Sequence, residues 1–78
     1  MAKYSYDSQN NLLPQIMFKS DLAQYYGVTL RQLRRELENY ITPSRKHRYT
    51  AKEVQRIFEI LGTPTRWDME KYDIRKNI

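Results

Sequence analysis

The sequence contains no cysteine. That excludes a disulfide framework, a thiolate metal site and a thiol nucleophile, and it is compatible with a reducing cytoplasm, the expected location. There is one histidine, His47, so a multi-histidine metal centre cannot be assembled. In its basic surroundings His47 reads as a solvated loop residue or phosphate contact rather than a general base. The two glycines, Gly27 and Gly62, stand singly in turns, and nothing resembles a phosphate-cradling loop. No apolar run approaches the ~20 residues that cross a bilayer. The segment Met1 to Asp7 also lacks the apolar stretch of a secretory signal. The expectation is a protein with no metal, cofactor, membrane or small-molecule ligand.

What is present is short and basic. A chain of 78 residues makes one small domain. A domain of this size buries only about 60% of its unfolded surface, leaving little room for an enclosed substrate cavity beside a core. The expectation is accordingly not an enzyme. Hydrophobic residues at 40% and charged residues at 29% argue against global disorder. The 14 Lys and Arg against 9 Asp and Glu leave a formal charge of +5. Its placement is uneven: residues 1–30 and 57–78 are each neutral, while residues 31–56 hold eight cations against three acids. Positive charge confined to one third of a chain is what a polyanion-binding surface requires, because it raises the local potential and releases counterions from phosphates. A solvated basic face is the plainer reading of the same residues.

Along the chain, residues 1–11 are polar and tyrosine-dotted and are expected to form a flexible N-terminus. Leu12, Leu13, Ile16, Met17 and Phe18 surround Pro14 in an apolar patch that suits a short strand or a segment pinned over the core. Ser20 and Asp21 form a helix start, and the first helix ends at Gly27, where a left-handed conformation is available. Thr29 caps a second helix from Leu30 to about Tyr40, whose Leu30, Leu33, Leu37 and Tyr40 make a buried stripe opposite Arg31, Gln32, Arg35 and Asn39. Thr42-Pro43-Ser44 breaks the pattern before the basic loop Arg45-Lys46-His47-Arg48. Thr50 and Glu53 have the spacing of a capping box, opening a third helix with Val54, Ile57, Phe58 and Leu61 on its apolar face. Gly62 and Pro64 end it. Residues 65–78 suit a C-terminal helix or tail, with Trp67 expected to cover the core.

Two helices joined by a tight glycine turn, the second carrying arginines opposite its apolar stripe, form the arrangement that sets a helix into the major groove of DNA. Ala23 permits close helix crossing, Gly27 supplies the turn, Val28 and Leu33 fill the angle and Thr29 caps the second helix. On these residues the sequence resembles the helix-turn-helix superfamily over about residues 19–40. The Pro-containing basic loop, Arg48-Tyr49-Thr50 and the following helix extend the resemblance to the MerR-type and excisionase-like winged-helix group over about residues 18–62. The implied fold is mainly α, a small winged helix-turn-helix domain of three helices with a short basic wing, spanning residues 12–64. The resemblance implies that Thr29, Arg31, Gln32, Arg34 and Arg35 belong to the recognition helix and Arg45, Lys46, Arg48 and Tyr49 to the wing, together contacting double-stranded DNA. Two departures stand out. No long coiled coil follows the third helix, and Glu36 occupies a place often apolar in the motif, with Leu37 taking the core role.

The function this implies is sequence-specific DNA binding, as an excisionase-type architectural factor in DNA recombination or a small regulator of transcription, helped by a homo-oligomer or a partner recombinase. The rivals are a protein-interaction module anchored by Tyr25, Tyr26 and Trp67, and an RNA-binding basic loop.

Overall fold

Helices supply most of the regular secondary structure across residues 4–42 and 44–68, which the computed structural model describes. Strand β1 (Met17–Phe18) leads directly into helix α1 (Lys19–Tyr25), followed by helix α2 (Leu30–Leu37), strand β2 (Arg48–Tyr49) and helix α3 (Ala51–Leu61). The strands pair antiparallel, Met17 opposite Tyr49 and Phe18 opposite Arg48. A small, mainly helical domain of three helices with a two-stranded sheet matches the coarse expectation from the sequence.

The α1–α2 turn follows from three residues. Gly27 adopts φ +68°, the left-handed region that side chains disfavour. Around it the Val28 N–H donates to Ala23 O at 3.1 Å and the Gly27 N–H to Gln24 O at 3.0 Å, a complete Schellman closure of α1. Thr29 then opens α2 with a capping box: its Oγ1 accepts from the Gln32 N–H, and Gln32 Oε1 accepts from the Thr29 N–H. Thr50 and Glu53 form the matching box on α3. Leu12, Met17, Leu22, Leu33, Val54 and Ile57 are the largest fully enclosed side chains. Each such side chain stabilises by about 1.5–3 kcal/mol relative to leaving it in water.

Four expectations are corrected. Ser20 is not the cap of α1: the preceding extended residue, Phe18, holds that place with no side-chain cap bond. The Lys19 N–H instead donates to His47 O at 2.9 Å, so a loop carbonyl does the work of a capping hydroxyl. Helix α2 closes at Leu37, and Tyr40 is 57% exposed, with Ile41 packed against the core in its stead.

The N-terminal residues are docked rather than loose. Tyr4 is buried, its hydroxyl donates to Asp21, and its ring meets that of Tyr25 edge-on. The Tyr6 and Tyr25 hydroxyls hydrogen-bond to each other. Asp7 folds residues 7–11 into a turn by accepting from the Gln9 and Asn11 N–H groups, and Asn11 bridges to Thr65. Trp67, finally, is half exposed rather than a cover for the core, and the Arg66 guanidinium lies over both its ring and that of Tyr6. Of the expected C-terminal helix or tail, residues 69–78 lie outside the described residues.

Candidate nucleic-acid interface

On α2 the arginines sit on the flank left free by Leu33 and Leu37, whose burial fixes the helix's rotation. Arg31, Arg34 and Arg35 are all exposed and edge one concavity of ≈ 280 Å³. Its opposite side is formed by Thr42 and Ser44 at the start of the basic loop, and its floor includes Leu37, Ile41 and Tyr49. Glu38 is the one acid among the described residues lining it. None of the three arginines is within 4 Å of a carboxylate among the described residues, whereas Arg56 pairs with Glu59 at 3.2 Å on the far part of α3.

The loop cations Arg45 and Lys46 are exposed. Arg48 is exposed too, held by β2 with its guanidinium 5.6 Å from the centre of the Phe18 ring. The pairing of β1 with β2 thus anchors one end of the loop to the start of α1, and the cations project from a tethered segment.

Thr29 and Gln32 are exposed, but their acceptor oxygens serve the capping box, which leaves the Thr29 hydroxyl proton and the Gln32 Nε2 as donors the pair can offer outward. Tyr49 departs from the sequence-based expectation of a wing contact. It is 5% exposed and belongs to the core, because the alternation along β2 that turns Arg48 outward turns Tyr49 inward. Burial raises the pKa of its hydroxyl.

The residue that sequence reasoning missed is Lys19. It is 3% exposed, the one buried charged side chain among the described residues. Its Nζ donates to Ser44 O at 2.9 Å and Ser44 Oγ at 3.1 Å and lies 5.2 Å from the centre of the Tyr49 ring. The signal was present: Lys19, Leu22 and Ala23 share the i, i+3, i+4 spacing of one helix face, so a buried Leu22–Ala23 stripe carries Lys19 inward with it. The tyrosines proposed as protein-docking anchors are also committed internally. Tyr25 is buried, and Tyr26 donates to Gly62 O at 2.6 Å.

Among the described residues there is no cluster of three or more metal-ligating side chains, and no helix is long and apolar enough to cross a membrane. Comparison with family models, with curated proteins and with solved structures finds no match to this chain.

Proposed function

We propose that the protein binds double-stranded DNA as a small winged helix-turn-helix module, with α2 entering the major groove and the basic loop with β2 acting as the wing. The observation that carries this reading is that exposed cations from two separate elements, Arg31, Arg34 and Arg35 on α2 and Arg45, Lys46 and Arg48 on the loop and β2, stand without carboxylate partners among the described residues, the three α2 arginines bordering one concavity. Unneutralised cations presented by two elements suit a phosphate polyanion. The internal engagement of Tyr25 and Tyr26 weakens the competing reading of a protein-docking module that needs them at the surface.

One recognition helix and one wing cover a short site, since single modules bury about 600–1,000 Å². Useful sequence discrimination therefore calls for a second copy or a partner such as a recombinase, in line with an architectural accessory role of the excisionase type or with a small transcriptional regulator.

Fluorescence anisotropy with duplex DNA, single-stranded RNA and a neutral polymer across a salt series tests the reading. If roughly four to six phosphates are contacted, the log–log slope for duplex DNA is about −3.5 to −5.5. Absence of duplex binding at low salt, or a slope near zero, rejects the proposal. Tighter binding to single-stranded RNA moves the assignment to RNA.

A further inference from the structure

Lys19 poses a physical problem that DNA binding in general does not answer. An ammonium nearly sealed from water is heavily penalised unless its hydrogen-bonding and charge are compensated. It carries three N–H donors, and the neutral oxygens of Ser44 receive two of its bonds. No carboxylate lies within 4 Å of Nζ among the described residues. A clip between α1 and the loop would need no further positive charge nearby, yet Arg31, Arg34 and Arg35 border the same small space, with Glu38 the one opposing charge among the described lining residues. Like charges gathered over a partly apolar floor raise the local potential, and an anion seated among them relieves it.

We propose that the concavity between α2 and residues 42–44 is a seat for a single phosphate group, with Lys19 at its floor and the α2 arginines at its rim. At ≈ 280 Å³ it is a little below the range of about 300–1,000 Å³ usual for drug-sized ligands. That space holds a phosphate with its immediate substituents. The source of that phosphate rests on the reading above. When a helix lies in the major groove and a loop reaches the adjacent minor groove, the backbone ridge between the two grooves passes between helix and loop. That is where this concavity lies, so a backbone diester is the occupant. Lys19, reached from within the fold, then acts as a fixed phosphate clamp beneath the exposed arginines. A free phosphorylated small molecule presents the same chemistry and is separated from the diester by experiment.

The full chain is titrated with inorganic phosphate at constant ionic strength while backbone amides are followed by NMR, with chloride as control. Saturable shifts are expected at Lys19, Thr42 and Ser44 with phosphate and not with chloride. Lys19→Met weakens phosphate binding by about tenfold or more, the loss of one charge-assisted hydrogen bond. It also lowers the magnitude of the duplex DNA salt slope by about 0.9. The same variant melts at an unchanged or higher temperature, because an apolar chain of similar length escapes the desolvation penalty, and this separates the clamp from a purely structural role. Should Lys19→Met not melt cooperatively, Arg34→Gln on the exposed rim is measured in its place. Localised phosphate shifts in a protein that does not bind duplex DNA support the seat, assign it to a free phosphate ester and reject the DNA function. Duplex binding with unaltered affinity and slope in the folded variant, together with no localised phosphate shifts in the parent chain, overturns the seat and leaves DNA binding standing.

Discussion

Gly27 occupies the positive-φ position in the turn that joins α1 to α2. Its φ of +68° lies where a β-branched side chain is strained, and its N–H completes the closure of α1. Gly27→Val is therefore expected to cost about 1–3 kcal/mol, whereas Gly27→Asn, which tolerates the left-handed region better, costs less. Thermal melting checks both, and a valine variant as stable as the parent contradicts the turn. A second residue-scale consequence concerns Tyr25, whose pKa is raised above its ordinary 10.0, first by burial and then by its hydrogen bond to the Tyr6 hydroxyl. The folded state favours the neutral phenol, so this contribution to stability is complete below pH 10.0 and is lost as pH rises above it, where the unfolded chain ionises first. Tyr4 and Tyr26 are shifted in the same direction, led in each case by burial. The melting temperature is expected to fall steadily above about pH 10, less steeply in Tyr25→Phe. A pH-independent melting temperature across that range argues against the buried tyrosine cluster.

At the scale of elements, what was legible in the sequence was what local chemistry decides. The turn at Gly27, the caps at Thr29 and Thr50 and the apolar stripe Val54, Ile57 and Phe58 depend on residues within four positions of one another, and each stands where the pattern put it. What escaped depends on distant partners. Local spacing puts Lys19 on the Leu22–Ala23 face, but that Ser44 receives its ammonium and that β2 pairs with β1 to enclose Tyr49 are relations that no local period encodes. The same distinction divides the cations. Arg31 and Arg35 lie one turn apart on a rigid helix, whereas Arg45 and Lys46 lie on a loop tethered at β2. A rigid register suits base edges, where a bidentate arginine–guanine pair discriminates by about 1–3 kcal/mol. A loop suits phosphates, which hold without reading. Given a selected duplex site, Arg35→Ala is expected to reduce preference for it over scrambled duplex, and Arg45→Ala to weaken both equally and flatten the salt slope by about one unit. Paired titrations decide the matter, and loss of preference in Arg45→Ala alone would reverse the two roles.

For the molecule as a whole, the decisive feature is how few residues hold it together. Proteins are stable by about 0.05–0.15 kcal/mol per residue, which for this chain amounts to roughly 4–12 kcal/mol. Three short helices and a two-residue strand pair leave the bottom of the core to be closed by residues from both ends of the described chain. Tyr4 covers Tyr25 and bonds to Asp21, Leu12 donates to Pro64 O at 2.9 Å, and the Arg66 N–H donates to Asn10 O at 2.8 Å. The N-terminal segment reads as loose in sequence because its composition is polar, yet its tyrosines bury rings while spending their hydroxyls on partners within the fold. Tyr4→Ala is expected to cost about 3 kcal/mol, as large-to-small aromatic truncations in cores do. For a domain this size that lowers the melting temperature by roughly 12–24 °C. Tyr4→Phe keeps the ring and loses the hydroxyl that donates to Asp21 and accepts the long bond from the Phe18 N–H, so it should cost about 1 kcal/mol. If thermal melting finds Tyr4→Ala indistinguishable from the parent, the segment is an appendage and α1, α2 and α3 suffice alone. If the alanine variant falls and the phenylalanine variant holds, the platform that presents α2 and the basic loop is closed by the very residues that composition would assign to a dispensable tail.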